Sequence, residues 1–399
     1  MATAEKAPPT ATVTAPAATA AAPAAPGLKL AQPLPGEPQI NVLFRTVMLH
    51  EGSDLHLKAG LPGMMRLRGV IQRMATQPLS QEHLEKLLYP ILTDKQKHDL
   101  EEKGGADFAW VVGNDECRYR VNLFKQRTRL ALVARRVNAK IPSFAKLGLP
   151  PTIEKLCHYD QGLVLLAGVT GSGKSTTIAS MLDYMNEHEA MHILTIEDPI
   201  EFVFVDKLSI VNQREVYLDV ADWHTALKHA VREDPDVILV GEMRDCETFE
   251  AAVHAAETGH VVLGTIHASN AYTTVDRILG LFPPSQHGSV RQSLAFNLRA
   301  VVAQKLVPSC RPGVQRVPTN EIMIVNPIIR DLLLKGEDKK LPDAIRACTL
   351  EGMQDFNMSL ESLVNKGDID KATALEFSTN PEQLKMALKG IKVAASGLV

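Results

Sequence analysis

The sequence predicts an α/β protein in which a small α+β domain precedes a larger domain built on a parallel sheet. Two observations support this prediction. In the second half of the chain, four apolar runs alternate with helical segments of ten or more residues, a pattern typical of a parallel sheet with helices on both faces. These runs are Leu163–Ala167, His192–Ile196, Val237–Val240 and Val261–Thr265. Between residues 40 and 140, alternating apolar segments instead flank a helical stretch at Ser80–Lys103, as in a mixed domain.

Composition and turn residues predict the domain boundaries. Residues 1–38 are almost all Ala, Pro, Thr and Gly, which bury too little apolar surface to fold, so we expect a disordered tail. The α+β domain should span residues 39–141, and the proline-rich residues 142–151 should form a linker. Residues 152–393 should form the sheet domain, which turns mostly helical from about residue 284.

Charge, cysteines and hydropathy restrict the class of protein. With 399 residues, 45% of them hydrophobic, the chain can bury a large core. A net charge of -3 gives no overall field that attracts nucleic acid or an anionic membrane. The five cysteines lie far apart without a CxxC pair, which indicates reduced thiols rather than a metal site or disulfides. No apolar run reaches the roughly 18 residues of a spanning helix and no signal peptide is evident, so we expect a soluble cytoplasmic protein.

One motif predicts nucleotide binding. Residues Gly168–Ser175 match G-x-x-x-x-G-K-[ST] between a predicted strand and a predicted helix, which is the context that a phosphate-binding loop requires. Backbone N–H groups of such a loop wrap the phosphates of ATP, the lysine reaches the β- and γ-phosphates, and the final hydroxyl ligates Mg²⁺. The predicted binding residues are Gly168, Thr170, Gly171, Ser172, Gly173, Lys174, Ser175 and Thr176.

Three further polar residues follow predicted strands. Glu242 ends the run Val237–Val240, where it would face the ligand crevice near Mg²⁺ or the attacking water. Glu197 follows the run His192–Ile196 and could orient or deprotonate that water. His267 lies beyond the next run and could sense the γ-phosphate. The residues alone leave other readings open, since a strand-end acid can be a solvated group and a lone histidine is more often structural.

Four segments together resemble the ATPases of type II secretion and type IV pili. The first is the phosphate-binding loop, and the others contain Glu197, Glu242 and His267. They are Gly168–Ser175, Thr195–Phe202, Arg232–Asp245 and Glu257–His267. The resemblance extends from about Gly52 to Lys392. It implies a RecA-like P-loop ATPase domain with a helical C-terminal region, preceded by a PAS-like domain.

Within that superfamily, the chain is most similar to the retraction branch, the PilT/PilU family. Gly52–Pro62 resembles the opening of those proteins, while Asn326–Leu333 and Glu351–Gln354 resemble two of their C-terminal segments. The large extra N-terminal domain and the four-cysteine zinc insertion of assembly ATPases have no counterpart here. The chain departs from the family pattern at Val169, where proline is usual, and at Ala268, where threonine is usual. Neither position supplies a required catalytic group.

The resemblance also implies roles for individual residues. It assigns general-base work to Glu197, Mg²⁺ and water to Glu242, and contact with the γ-phosphate to His267. Arg120 and Arg135 match arginines that reach the nucleotide of a neighbouring subunit. They belong to a basic run, which could also be a solvated face or a nucleic-acid patch. Its members are Arg118, Arg120, Lys125, Arg127, Arg129, Arg135 and Arg136.

The function that this resemblance implies is a hexameric ATPase motor that powers pilus retraction and twitching motility. ATP and Mg²⁺ would be its cofactors, and its partners would be an inner-membrane platform protein and a paralogous retraction ATPase. It would be cytoplasmic and peripheral to the membrane, without direct membrane insertion or nucleic-acid binding. An alternative is a pilus assembly or type II secretion ATPase. Another is a nucleic-acid translocase, which the acidic balance and the 5% aromatic content do not favour.

Overall fold

The chain divides into two compact units between Arg136 and Val137. The structure is a computed structural model and describes residues 27–113, 116–137 and 140–391. Most of the predicted tail, residues 1–26, lies outside the described residues. The division falls a few residues before the predicted linker, and residues 142–151 contain a short helix rather than irregular chain alone.

The first unit is an antiparallel sheet with helices packed on one face. Its helices and strands alternate irregularly along the chain, as expected of an α+β domain. They are α1 (Asn41–Leu49), β1 (Asp54–Lys58), β2 (Met64–Leu67), β3 (Val70–Arg73), α2 (Gln81–Leu88), α3 (Asp94–Glu102), β4 (Gly105–Val112), β5 (Cys117–Gln126) and β6 (Arg129–Arg136). The sheet order is β3-β2-β1-β6-β5-β4. The predicted helical stretch is therefore two helices, because Pro90 follows α2 and Thr93 caps α3 with a reciprocal capping box.

Strand alternation gives this sheet one apolar and one polar face. Leu55, Val121 and Leu132 point into a core against Phe44 of α1 and Leu84 of α2. The opposite face contains charged residues, described below. Residues 27–38 were predicted to belong to the tail but contact this unit. The Leu28 N–H donates to the Arg73 carbonyl at 2.8 Å, and Ala31 N–H donates to the Thr46 hydroxyl at 2.9 Å.

The second unit is a seven-stranded sheet between two layers of helices. Its strands are β7 (Gly162–Ala167), β8 (His192–Glu197), β9 (Ile210–Glu215), β10 (Val237–Val240), β11 (Val261–Ile266), β12 (Leu298–Pro308) and β13 (Arg316–Ile324). Its helices are α4 (Phe144–Leu147), α5 (Pro151–Leu156), α6 (Lys174–His188), α7 (Trp223–Ala230), α8 (Cys246–Glu257), α9 (Ala271–Leu279), α10 (His287–Asn297), α11 (Pro327–Lys335), α12 (Leu341–Ala347), α13 (Phe356–Asn365), α14 (Lys371–Phe377) and α15 (Pro381–Ala387). Single 3₁₀ turns lie at Tyr89–Ile91, in the first unit, and at Pro284–Gln286, Asp338–Lys340 and Thr349–Glu351.

The strand order of this sheet is β13-β12-β7-β11-β10-β8-β9, and the paired strands from β12 to β9 are parallel. The four predicted strands are β7, β8, β10 and β11. Three others were not predicted. The region after residue 284, expected to be mostly helical, contributes β12 and β13, which pair antiparallel over nine residue pairs from Ala300↔Ile324 to Pro308↔Arg316.

Helices cover both faces of this sheet, as the alternation predicted. The helices α5 and α6 bury Ile153 and Met181 on one face, and α7 to α12 bury residues such as Phe249 and Val275 on the other. The strand β7 is buried over its whole length because it lies between these layers. No helix among the described residues is long and apolar enough to cross a membrane.

Candidate nucleotide-binding site

The predicted site residues of the second unit meet at the carboxyl edge of its sheet. Ile266, the last residue of β11, pairs with Ala167, the last residue of β7. His267 and Gly168, which follow these two residues, therefore lie at the same level of the sheet. Val240 pairs with Gly264 on one side and with Ile196 on the other. The parallel register therefore brings the phosphate-binding loop, the Glu197 segment, the Glu242 segment and the His267 segment to one edge, where ligands of such sheets bind.

The loop after β7 has the backbone that a phosphate cradle requires. Gly168, Gly171 and Gly173 have φ values of 155°, 78° and 90°, in a region that residues with a Cβ rarely adopt. Gly173 is the N-cap of α6, so the helix begins directly at Lys174. Successive N–H groups at a helix N-terminus, together with the helix dipole, favour an anion.

The side chains of the loop differ in exposure. The hydroxyl-bearing residues Thr170 and Ser175 are exposed, Thr176 is half-buried and Ser172 is buried. The Ser172 hydroxyl has no hydrogen-bond partner within the described residues. A Cβ at Gly168 would clash with that hydroxyl, so the first glycine is required by close packing within the loop as well as by its φ value.

Lys174 is held over the loop. Its ammonium donates to the carbonyl oxygen of Gly168 at 2.7 Å and of Val169 at 3.2 Å, and the side chain is buried. Burial lowers the pKa of Lys174, and the nearby Glu242 carboxylate opposes that effect. The ammonium therefore lies where it would neutralise phosphate charge in a partly desolvated setting.

Glu197 ends β8 and is 7% exposed. Its Oε1 accepts hydrogen bonds from the Thr195 hydroxyl at 2.8 Å and from Gln213 Nε2 at 3.3 Å, while Oε2 accepts from the Glu201 N–H at 3.2 Å. Burial raises the pKa of Glu197 to about 7, although these hydrogen bonds lower it. A carboxyl group with this pKa can exchange a proton near neutral pH, as a general base must.

Glu242 and His267 form a pair beside Lys174. Glu242 Oε1 lies 3.0 Å from His267 Nε2, and Oε2 accepts from Arg244 Nη2 at 2.7 Å. The hydrogen bond from Arg244, only partly opposed by burial, lowers the pKa of Glu242. The carboxylate is therefore ionised at neutral pH, in contrast to the strongly buried Glu197. Two acids at one edge with such different pKa values can take different chemical roles.

The donor set suits Mg²⁺ bound together with a nucleotide. Mg²⁺ in such sites takes one or two protein ligands and completes its shell with phosphate oxygens and water. The exposed Ser175 hydroxyl and the ionised Glu242 carboxylate are ligands of this kind. Within the part of the chain that the structure describes, no cluster of three or more His, Cys, Asp or Glu could hold a metal ion by itself.

Sequence reasoning missed several polar residues that support this site. Arg244 lies two residues after Glu242 and could have been noticed as its partner by spacing. Thr177, Gln304 and Asn320 form a fully buried hydrogen-bond network behind the loop. Gln304 and Asn320 lie in runs of ordinary strand residues, whereas Thr177 directly follows the predicted binding residues and could have been noticed by that position alone.

The two predicted arginines lie in the first unit. Arg120 of β5 and Arg135 of β6 are directly opposite in the antiparallel register, and both are exposed. Arg135 Nε donates to Asp54 Oδ1 at 3.0 Å, and Asp54 lies opposite Arg135 on β1. Like charges opposite each other destabilise a sheet, so the Arg120–Arg135 pair is not explained by the stability of this unit.

The fold and the loop define a P-loop ATPase with an α/β sheet domain. The family model of the type II/IV secretion system protein matches residues 31–364. Two curated relatives from Pseudomonas aeruginosa are the type IV pilus retractation ATPase PilT and the type IV pilus ATPase PilU. PilT is 44% identical over 330 residues, which is 83% of this chain and 95% of PilT. PilU is 38% identical over 347 residues, which is 87% of this chain and 90% of PilU.

A solved structure agrees with these relatives. The crystal structure of the pilus retraction motor PilT with bound ADP is 42% identical and covers 88% of this chain and 99% of its own, with a TM-score of 0.78. The chain therefore belongs to the type II/IV secretion system protein family, within its PilT and PilU group. It is an ATP-hydrolysing enzyme whose main domain is RecA-like.

Proposed function

We propose that this chain is the motor subunit of type IV pilus retraction, which converts ATP hydrolysis into the pulling that twitching motility requires. The observation that supports this most is that a candidate nucleotide site lies in a chain with close relatives among pilus retraction ATPases. The carboxyl edge of the sheet holds Lys174, Glu197, Glu242 and His267 in a chain that is 44% identical to a pilus retraction ATPase over most of both sequences.

In this proposal the loop residues bind the phosphates of ATP. Lys174 neutralises the β- and γ-phosphates, while Ser175 and Glu242 hold Mg²⁺, which supplies charge neutralisation at the phosphates when bound. Glu197 accepts a proton from the attacking water, for which its pKa of about 7 is suited. His267, fixed by Glu242, contacts the γ-phosphate and distinguishes ATP from ADP.

The arginines of the first unit would complete the site of another subunit. In a homohexameric ring, Arg120 and Arg135 would neutralise charge on the γ-phosphate of the neighbouring subunit. Planar guanidinium groups do this in many ATPases and GTPases. The exposed Arg120 side chain and the partly tethered Arg135 are available for such a contact.

The mechanical partner would be a platform protein in the inner membrane, and a paralogous retraction ATPase would be a second partner. We place the ring in the cytoplasm, at the inner face of the membrane. Angular changes between the two units during ATP turnover would drive the platform protein. The low overall charge favours attachment through such a partner rather than through an anionic lipid surface.

A strain that lacks the gene tests this function. We expect cells with more surface pili than the parent and without twitching, because pili are assembled but not withdrawn. Wild-type protein should restore both traits, and the Lys174→Ala variant should restore neither. Cells without surface pili would identify an assembly ATPase, and cells with unchanged pilus number and twitching would remove the proposed role.

A further inference from the structure

The polar network behind the phosphate-binding loop is centred on Gln304. This residue follows Ala303, which pairs with Ala167 at the end of β7, so Gln304 lies level with the start of the loop. It is 2% exposed, and on its other side it pairs with Asn320 of β13. A buried amide at this level costs free energy unless each of its polar atoms is hydrogen-bonded.

Each polar atom of this amide contacts a different part of the site. Gln304 Nε2 donates to the Ser172 carbonyl at 2.9 Å. Its Oε1 accepts from the Thr177 hydroxyl and from Asn320 Nδ2, each at 2.9 Å. A Cβ at Gly173 would lie 2.7 Å from Gln304 Nε2, so the glycine permits this approach. The loop is therefore held from outside by the hairpin of β12 and β13.

The next residue of β13, Glu321, contacts the opposite side of the site. Adjacent strand residues face opposite sides of a sheet. Glu321 Oε1 accepts a hydrogen bond at 2.7 Å from the N–H of Ala271, the first residue of α9. The helix begins four residues after His267, whose ring contacts Glu242. A carboxylate at this helix N-terminus anchors the end of the His267 segment.

The surroundings of Glu321 are charged as well as buried. Burial raises the pKa of Glu321 to about 7, the hydrogen bond from Ala271 opposes that effect, Asp355 adds to it, and Lys305 and Arg346 oppose it. An apolar residue could fill this core position without a desolvation cost. The acidic side chain is therefore explained by the hydrogen bond that it accepts from the Ala271 N–H rather than by packing.

We propose that Asn320 and Glu321 are positioning residues that link the phosphate-binding loop to the His267 segment through one strand. Through Gln304, Asn320 sets the position of the loop, while Glu321 sets the position of the segment that ends at α9. Movement of β13 then changes both sides of the nucleotide site together. This inference rests on the proposed contact of His267 with the γ-phosphate, but not on the role in pilus retraction.

Hydrogen exchange of the purified full-length protein tests the link directly. Three single variants are compared with wild type: Thr177→Val, Glu321→Leu and Thr319→Val. Thr319→Val is the matched control, because Thr319 is also fully buried and its hydroxyl has no partner within the described residues. We expect Glu321→Leu, which removes the acceptor of the Ala271 N–H, to speed exchange in residues 267–275 and also in residues 168–176. Thr177→Val should speed exchange in residues 168–176 next to the substitution and also in residues 267–275. Thr319→Val should change exchange in neither segment.

Kinetics give a second readout. Thr177→Val should weaken binding of a fluorescent ADP analogue by about five- to tenfold, the effect of one buried hydrogen bond. Glu321→Leu should lower kcat about fivefold or more with ADP affinity unchanged within about twofold. If the two segments are linked, the change in kcat of the double variant at Thr177 and Glu321 should differ from the product of the two single changes by at least about threefold.

Local effects alone would overturn the proposal. In that case exchange would be faster only in the segment next to each substitution, and the kcat of the double variant would equal the product of the two single effects. If Glu321→Leu fails to fold, Thr177→Val still decides, because the link requires faster exchange at residues 267–275. A His267→Ala variant with full activity would remove the proposed contact of His267, whereas the exchange result would still show whether β13 links the two segments.

Discussion

Asp54 and Arg135 lie opposite each other on adjacent strands of the first unit, and Asp54 Oδ1 accepts a hydrogen bond from Arg135 Nε at 3.0 Å. Asp54 is buried, whereas 74% of the Arg135 side chain is exposed. Burial alone would raise the pKa of Asp54, but hydrogen bonds from Ser53 and Arg135 lower it overall. One edge of the guanidinium group is thus held by Asp54, while most of the Arg135 side chain remains accessible to a partner.

We predict that Arg135 acts on a neighbouring subunit. Arg135→Ala should lower ATP turnover by at least about 100-fold, because arginine fingers raise the turnover of such enzymes by about 1,000-fold or more. Mixing this variant with the inactive Lys174→Ala variant should restore part of the activity, because some interfaces then pair an intact loop with an intact arginine. Turnover per subunit of wild-type protein should also rise with concentration as rings assemble.

The control for this experiment is Arg129→Ala. Arg129 lies on the same strand and is also exposed, but it is six residues away, about 20 Å along an extended strand. The Arg129→Ala variant should retain near wild-type ATP turnover. Mixed rings that form, as shown by crosslinking, and remain as inactive as both parents would contradict action in trans. Arg120→Ala can be tested in the same assay.

Lys174→Ala should abolish ATP hydrolysis and weaken nucleotide binding. The substitution removes the ammonium that lies over the loop and would neutralise phosphate charge. Turnover of purified protein and binding of a fluorescent ATP analogue measure the two effects. Lys155→Ala, at an exposed lysine of α5, is the control. Unchanged hydrolysis in Lys174→Ala would mean that the assigned role of this lysine is wrong.

Glu197→Gln should retain ATP binding while losing most hydrolysis, by at least about 100-fold for loss of a general base. The amide keeps the shape of the side chain but cannot take the proton. Binding and turnover are measured on the same preparation, with Glu376→Gln on the exposed side of α14 as the control. Near wild-type turnover in Glu197→Gln would assign the base to another residue.

Glu242→Gln should also bind ATP and lose most turnover, but its defect should respond to the metal. An amide oxygen is a weaker Mg²⁺ ligand than a carboxylate, so the variant should need a higher Mg²⁺ concentration for half-maximal activity. Titration of Mg²⁺ at saturating ATP measures this. A Mg²⁺ requirement equal to that of wild type, together with full turnover, would remove Glu242 from the metal site.

Two buried carboxyl groups predict a specific dependence of stability on pH. Burial raises the pKa of both Glu197 and Glu321 from an ordinary value of 4.5 to about 7. Their contribution is fully present below about pH 4.5 and is lost as pH rises through 7, by up to about 3 kcal/mol each. The free energy of unfolding of Glu197→Gln/Glu321→Gln should therefore fall less than that of wild type between pH 5 and pH 8. Equal slopes in denaturant titrations would refute this.

Much of the nucleotide site could be predicted from the sequence because its signals are local. The loop motif lies within eight residues, and Glu197, Glu242 and His267 each follow an apolar strand. These segments then come together because the strands are parallel, so that their carboxyl ends meet at one edge of the sheet. Their catalytic roles remain predictions, as do the domain boundaries.

The supporting network could not be predicted, because its signals are not local. Gln304 and Asn320 are partners only through the antiparallel register of β12 and β13, and neither strand was predicted. Buried polar residues such as Asn320 and Glu321 interrupt the apolar pattern that marks a strand. The strand β9, with the sequence Ile210–Glu215, lies at the sheet edge and is mostly polar, so it also lacks that pattern.

The position of β13 at the edge of its sheet has a mechanical consequence. On one side it shares a full ladder with β12. On the other, it forms a two-bond bridge between Ile322 and Gln354, with bonds of 2.8 and 3.2 Å, and Gln354 Nε2 donates to the Asn320 carbonyl at 2.9 Å. Its Asn320 N–H also donates to the Ser359 hydroxyl of α13 at 3.1 Å. A sideways displacement of this strand shears one ladder rather than two, so it is softer than an interior strand. A load on α13 would therefore reach the nucleotide through an edge strand of the sheet.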